Sequence, residues 1–344
     1  MRQQTQDQLE HDPDDAWARH FVRRHKRRLN RQERRLRLRR RGRRAYIRSV
    51  YFLPSLCTLG NAVSGFASMY VAFLAMLAAG TRSINHDPVT IWWASHGFAP
   101  AAYLIFFAML FDALDGRLAR FARHTTDFGG QLDSLADVVS FGAAPALLSL
   151  LVFHQDGPTD LPWMLSRLIW AIGALYLSCA LLRLARFNVS NEHGEQHHFS
   201  FLGLPSPGAA AAIAALVIMQ QDLLRQALDY QAAGWLRLES IFMGLSYICV
   251  GALPALVLLT GLLMISPIRY PHVVNRYLRG KKSFGRLVVA LILLLLMVVA
   301  HQYTLGICGI AYAMWGLVAY LWFRLRKWNR LAGVLGATEM KAKA

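Results

Sequence analysis

Between Asp112 and Asp137 the chain carries a spaced set of acids: Asp112-Ala-Leu-Asp115-Gly116-Arg-Leu-Ala119-Arg120, then Gly129, Asp133 and Asp137. As a pattern this is D-x2-D-G-x2-A-R-x8-G-x3-D-x3-D. On a helix, residues three or four apart share a face, so Asp112 pairs with Asp115 and Asp133 with Asp137. A short connection between two such helices would bring the pairs together. Four carboxylates at one point repel one another, so the arrangement calls for a cation. All-oxygen ligation favours hard ions: Mg2+ or Mn2+, with Ca2+ compatible. A divalent ion held by acids at the edge of an apolar segment points to chemistry on a phosphate ester.

The elements that must position these acids are long apolar blocks. The chain has 344 residues, of which 55% are hydrophobic. Eight candidate spans can be read at roughly 53–79, 91–114, 131–153, 165–187, 206–224, 241–265, 287–302 and 305–323. Most are long enough to cross a hydrocarbon core of about 30 Å at about 1.5 Å per residue, and the seventh is near the lower limit. Spans seven and eight together are too long for one helix, which predicts a tight hairpin around Gln302 to Thr304. Only helices or closed barrels satisfy their backbone groups in lipid, and continuous apolar runs mean helices. The fold class expected is an all-α, polytopic membrane helix bundle of about eight transmembrane helices.

Lys and Arg sit in alternate connections. Arg117, Arg120 and Arg123 follow span two, and Arg183 and Arg186 end span four. Arg269, Arg276, Arg279, Lys281, Lys282 and Arg286 separate spans six and seven, while Arg324, Arg326, Lys327 and Arg330 follow span eight. The opposite connections offer little beyond Arg82, Arg225 and Arg237. This bias predicts an inner-membrane protein with both termini and the acidic cluster on the cytoplasmic side.

Three regions are expected: a basic arm at 1–50, a transmembrane catalytic domain at 51–330 and a short cytoplasmic tail at 331–344. Between Arg23 and Arg48 there are fifteen Lys or Arg residues against one acid, Glu33, and this arm supplies most of the net charge of +18. It is too long and too charged before the first apolar run to be a cleavable signal peptide. It reads as an arm held near anionic lipid headgroups. RNA or ribosome contact is the alternative partner, because phosphate backbones attract the same charge, but few aromatics interrupt the run for base stacking. Cys57, Cys179, Cys249 and Cys308 are scattered over four spans without ligand spacing and read as small apolar packing residues. His193, His197 and His198 read as part of a solvated loop.

Pairing of the acids with neighbouring arginines in a salt-bridged helix end is the competing reading. It fits poorly, because the acids come as two pairs at the margins of apolar spans, where charge is expensive. Gly116, Gly129 and Ala119 also leave room for a backbone or ligand to approach.

The whole pattern resembles the signature of the CDP-alcohol phosphatidyltransferase family, with every signature position matched. The resemblance implies transfer of a phosphatidyl group from a CDP-linked lipid to an alcohol, with release of CMP. It implies Asp112, Asp115 and Asp133 as divalent-metal ligands, with Asp137 beside them as ligand and proposed base. It also implies a homodimer. Arg120 would add a permanently charged donor to a phosphate oxygen, and Gly116 would let the nucleotide lie against the helix. Thr58 and Asn61, polar residues in the first turns of span one, could contact the nucleotide.

Three further segments bear on the alcohol. Arg183-Leu-Ala-Arg186-Phe187-Asn188 ends span four, Gly203-Leu-Pro205-Ser206-Pro207 opens span five, and Leu53-Pro54-Ser55-Leu56-Cys57-Thr58-Leu59-Gly60-Asn61 opens span one. They resemble the phosphatidylserine synthase branch of the family, which implies CDP-diacylglycerol and L-serine as substrates. Arg183 and Arg186 share a face and could hold an anion, either the acceptor's carboxylate or the lipid phosphate. Pro205 and Pro207 fit a rigid first turn of span five. Glycerol 3-phosphate or an inositol phosphate is the alternative acceptor. A cation-coupled transporter with an intramembrane acidic site is the alternative of another class.

Overall fold

The computed structural model describes residues 54–78, 96–122, 127–158, 161–192, 200–271 and 284–342. The basic arm at 1–50 and the histidines 193, 197 and 198 lie outside the described residues. The helices are α1 (Pro54–Ala78), α2 (Ala99–Ala122), α3 (Asp127–Asp137), α4 (Ala144–Asp156), α5 (Trp163–Glu192), α6 (Ser206–Ala232), α7 (Leu236–Ile265), α8 (Phe284–Val299) and α9 (His301–Ala342). A six-residue π-helical segment, Val138–Ala143, joins α3 directly to α4.

The fold class is all-α. Among the described residues, seven helices are long and apolar enough to cross a membrane, with α3, the π segment and α4 counting as one run from Phe128 to Asp156. The molecule is an integral membrane protein. The expected span not among these is the seventh, now α8, whose 16 residues reach about 24 Å at 1.5 Å per residue, short of a hydrocarbon core of about 30 Å. The predicted break near Gln302 falls at Ala300, between Val299 and His301. Beyond it α9 runs as one helix to Ala342, through the expected boundary at 330.

Helix α6 occupies the centre. Its Ala209, Ala210, Ala212, Ala214 and Ala215 are fully buried. Small side chains let helix backbones approach closely, which matters in lipid because burial of apolar area alone gives little drive for association. Helix α9 uses the same device: a Cβ on Gly309 would lie 3.3 Å from the Ala212 backbone, and one on Gly306 would lie 3.0 Å from Met219 Sδ. Large apolar side chains of α1, α5, α7 and α8 face outward, as expected where lipid is the solvent.

A two-stranded antiparallel ribbon, β1 (Ser200–Leu202) and β2 (Arg269–Pro271), was not anticipated. It pairs Ser200 with Pro271, Phe201 with Tyr270 and Leu202 with Arg269, tying the start of α6 to the end of α7. Gly203 comes next at φ +86°, and its N–H donates to the Ile268 carbonyl at 2.8 Å. A Cβ there would collide with the Met264 carbonyl oxygen, so only glycine fits.

Further along α6, roughly 20 Å from Ser206 at 1.5 Å per residue, polar side chains join four helices and the turn that precedes α2. Asp156 Oδ2 accepts hydrogen bonds from Gln220 Nε2 at 3.1 Å and Gln221 Nε2 at 2.8 Å. Gln220 Nε2 also lies 3.2 Å from Ser246 Oγ, and Gln221 Oε1 accepts from the Phe98 N–H at 3.1 Å. Asp222 accepts from Gln226 at 2.6 Å and from Gln302 at 3.3 Å.

Cys179 and Cys249 are buried packing residues as expected, Cys57 is half-buried and Cys308 is exposed; all four are free thiols.

Candidate active site

The acid-bearing helices α2 and α3 meet as the spacing predicts. Single carboxylate oxygens of Asp112, Asp133 and Asp137 all lie within 4.8 Å of one another. Asp115, one turn from Asp112, is buried with Thr58 against its carboxylate. Asp115 Oδ2 and Asp133 Oδ1 are enclosed by protein yet have no hydrogen-bond partner. Buried polar atoms in folded proteins are nearly always bonded, so these oxygens keep capacity for a ligand from outside the chain. The donor set, carboxylate oxygen throughout, fits a hard divalent ion.

Each acid is placed by its own local structure. Asp112 and Asp115 project from one side of α2, where nothing lies within 4 Å of a Cβ built on the neighbouring Gly116. That glycine keeps open space beside the acids. Asp133 and Asp137 occupy consecutive turns of α3, and Asp137 is its last residue before the π segment. A π turn takes about one residue more than an α turn and so shifts the phase of the helix beyond it, a device often found at functional sites. Here it is held on both sides: Ser140 Oγ donates to the Asn61 carbonyl at 2.8 Å, and Tyr176 Oη donates to the Phe141 carbonyl at 2.9 Å.

Helix α1 supplies the other wall. Asn61 is fully buried, and its Nδ2 donates to Asp137 Oδ1 at 3.1 Å. Asn61 therefore bears on an acid of the cluster, whereas the sequence had offered it as a nucleotide contact. Gly65 allows this approach, since a Cβ there would fall 2.6 Å from Ser140 Cα. Thr58 Oγ1 donates to the Pro54 carbonyl at 3.1 Å.

Arg183 and Arg186 part company. Arg183 points inward: its Nη1 donates to Ser206 Oγ at 2.5 Å, its Nε is buried without a partner, and its charge is within electrostatic reach of Asp137. Arg186 is exposed near the end of α5. Two residues on, Asn188 Oδ1 accepts from Ser134 Oγ at 3.0 Å, linking α5 to the helix that carries Asp133. Arg120 lies in the last turn of α2, and its side chain is outside the described residues.

Ser140, Tyr176 and Gly65 were not singled out from sequence, and Ser206 only as part of a quoted segment. A serine or tyrosine inside an apolar span was the available signal, but its partner lies on another helix and cannot be read from spacing.

The family model described as CDP-alcohol phosphatidyltransferase matches residues 51–250, which include α1 through the first half of α7 and all four aspartates. The chain belongs to the CDP-alcohol phosphatidyltransferase family. Its relatives extend the likeness beyond the core of that family. A CDP-diacylglycerol–serine O-phosphatidyltransferase of Helicobacter pylori strain J99 is 27% identical over 280 residues, 81% of this chain and 95% of the relative. The protein of the same name from Methanocaldococcus jannaschii is 33% identical over 218 residues, 63% of this chain and 83% of the relative. An archaetidylserine synthase of Methanothermobacter thermautotrophicus is 33% identical over 174 residues, half of this chain and 60% of the relative. This phosphatidyltransferase thus has its acids, Arg183 and its π segment within the matched residues, while α8 and α9 lie beyond them.

Proposed function

We propose that this phosphatidyltransferase moves the phosphatidyl group of CDP-diacylglycerol to L-serine, giving phosphatidylserine and CMP. The observation that carries the reading is the convergence of Asp112, Asp133 and Asp137, with Asp115 beside them, on one point within electrostatic reach of the half-buried Arg183. The serine in the names of the relatives supports the choice of acceptor, across two differently named lipid products.

Asp112, Asp115, Asp133 and Asp137 would hold Mg2+ or Mn2+. When bound, such an ion neutralises the pyrophosphate that would otherwise repel an incoming oxygen. The serine hydroxyl oxygen attacks the phosphorus that bears the diacylglycerol. The bond from that phosphorus to the bridging oxygen breaks, and CMP leaves with the electron pair. Asp137 accepts the hydroxyl proton, with Asn61 fixing one carboxylate oxygen so that the other is aimed at the alcohol. Arg120 and the open backbone at Gly116 receive the nucleotide phosphates. Thr58, against Asp115, steadies that acid. Arg183 engages the serine carboxylate through its Nε–Nη2 edge, since Nη1 is committed to Ser206. Arg186, exposed, supports anion approach or binds the lipid phosphate.

The reaction side is cytosolic in this reading, because the basic connections and the acids lie at the same ends of the spans. The basic arm holds anionic lipid, and the enzyme works as a homodimer.

The deciding experiment measures CMP release from CDP-diacylglycerol by the purified enzyme with Mg2+ or Mn2+ and a panel of L-serine, glycerol 3-phosphate and inositol phosphate. Serine-dependent release is expected. Release only with another alcohol would move the acceptor assignment. An intact CDP-lipid in every arm would leave cation transport as the reading.

A further inference from the structure

We infer that Tyr176, on α5, is a positioning residue for the reaction: its hydroxyl replaces a backbone donor that Pro145 removes, and so fixes the helical phase at which Asp137 enters the acidic cluster. The inference rests on the proposed use of Asp137 and Arg183 in that reaction.

Past Asp137 the chain reads Val138-Val-Ser-Phe141-Gly-Ala-Ala144-Pro145. In an α-helix the Phe141 carbonyl accepts from the N–H of residue 145, and proline has none. The proline ring also crowds the carbonyl four residues before it, which is again that of Phe141. The backbone is widened at this point: the Ala144 N–H donates to the Val139 carbonyl, five residues back. Phe141 is fully buried, and a buried carbonyl left unpaired is costly. The hydroxyl of Tyr176, itself fully buried, donates to it at 2.9 Å. A side chain from α5 thus supplies what the proline withholds.

The same contact joins two parts of the site. Tyr176, Ala180 and Arg183 stand at i, i+4 and i+7 on one face of α5. Leu177 and Ala180 lie against the π segment, 3.1 and 3.5 Å from a Cβ built on Gly142. Arg183, about two turns beyond Tyr176, reaches Ser206. On the other flank Asn61 takes Ser140 on its carbonyl and gives its amide to Asp137. The π segment is therefore clamped between the residue that holds the acid and the helix that carries the arginine. Behind α5, a Cβ on Gly261 of α7 would lie 3.3 Å from Tyr176 Cα, so the tyrosine has little room to retreat. With the hydroxyl gone, the Phe141 carbonyl can find another donor only if the turn rewinds, and Asp137 at the start of that turn moves with it.

The test uses the full-length enzyme in detergent with Mn2+, CDP-diacylglycerol and L-serine. Tyr176→Phe keeps the ring and removes the hydroxyl. The rate at saturating substrates should fall about ten- to a hundredfold, the scale of a misplacement of about 1 Å. The serine and CDP-diacylglycerol concentrations for half-maximal rate should stay within about threefold of the parent. The electron paramagnetic resonance spectrum of bound Mn2+ should also change, since Asp137 is one of the converging acids. Ser149→Ala removes another buried hydroxyl from the same helical run, one that donates to the Ala146 carbonyl at 2.8 Å, and should leave rate and spectrum unchanged. Pro145→Ala restores an N–H at residue 145, so in that background Tyr176→Phe should lower the rate by about threefold or less.

A parental rate and a parental Mn2+ spectrum in Tyr176→Phe would overturn the inference, leaving the tyrosine a packing residue and the proposed reaction standing. Equal losses in Tyr176→Phe and Ser149→Ala would do the same, as would an undiminished loss in the Pro145→Ala background. A parent enzyme that releases no CMP with serine would sink the functional reading instead, and the Mn2+ spectra would still decide the positioning role. Should Tyr176→Phe fail to fold, Gly261→Ala, which crowds the Tyr176 backbone and keeps its hydroxyl, decides: a lower rate and an altered spectrum are expected, and parental values of both would overturn the inference.

Discussion

Asp137, beside the acidic cluster, and Asp156, at the far end of the same helical run, are carboxylates that the molecule treats differently. Around Asp137, acids are gathered from α2 and α3 until their oxygens lie within 4.8 Å, and enclosed oxygens of Asp115 and Asp133 are left without partners. Around Asp156, glutamine amides from α6 converge on the acid, and Ser246 and the Phe98 backbone complete the network. An ionisable group inside a membrane span is costly unless it is paired or used. The far end pairs its acid with neutral donors and so fastens helices together. The near end, although Asn61 holds Asp137 and Thr58 lies against Asp115, leaves enclosed oxygens of Asp115 and Asp133 without a partner in the chain. Burial and residue type are similar at the two ends. What separates structure from chemistry is whether the hydrogen-bonding capacity has been spent within the chain.

The contrast is broken most directly at the near end. Asp112→Asn or Asp133→Asn preserves shape and removes a charge, so CMP release should fall by a factor of about 10² or more. The variants should still run as folded protein in size-exclusion chromatography, and direct Mn2+ binding followed by electron paramagnetic resonance should weaken in parallel. A folded variant with near-parental turnover and Mn2+ binding would place its aspartate in the same class as Asp156.

A smaller effect is expected one step back from the acids. Asn61→Ala removes the amide that holds Asp137, a charge-assisted bond of about 1.5–3 kcal/mol. The rate at saturating substrates should drop roughly ten- to a hundredfold, with the CDP-diacylglycerol requirement little changed. A change confined to that requirement would return Asn61 to the nucleotide-binding role first read from the sequence.

Glycines sharpen the comparison with milder changes. A Cβ meets nothing within 4 Å at either Gly116 or Gly244, so Gly116→Ala and Gly244→Ala should both fold. Only Gly116→Ala, next to Asp115, should raise the CDP-diacylglycerol requirement. Matching kinetics for the two would mean that the space beside Gly116 is not used by substrate.

The smallest effect on catalysis belongs to the far end. Asp156→Leu leaves the Gln220 and Gln221 amides short of an acceptor, at a cost of about 1–3 kcal/mol in stability. Thermal unfolding in detergent should move down while turnover per folded molecule stays within about twofold. A large loss of turnover without loss of stability would connect Asp156 to the reaction.

These differences explain what could be read without coordinates. The aspartates were legible because i, i+3 and i, i+4 spacing determines a shared face on any helix. The spans were legible because length and hydropathy are local properties. The π segment was not: Val138–Ala143 continues an apolar run, and its phase is held by Ser140 on α1's Asn61 and by Tyr176 on Phe141. The glutamine cluster was hidden for the same reason, as Gln220 finds its acid 64 residues earlier in the chain. Arg183 and Arg186 share a helical face by spacing, yet one is drawn to Ser206 while the other stays exposed. Which of them faces inward depends on where α6 begins.

The π segment also sets how this chain can change over generations. Each residue of an α-helix advances the side-chain direction by about 100°. Between Asp137 and Ala144 the path uses about one residue more than an uninterrupted α-helix would need. Loss of a single codon there would leave Asp133 and Asp137 in place but swing the whole of α4, with Asp156 at its end, onto a different azimuth. Length variation is ordinarily absorbed by surface connections. In this stretch it would be read as rotation, so reading frame and helical phase are inherited together.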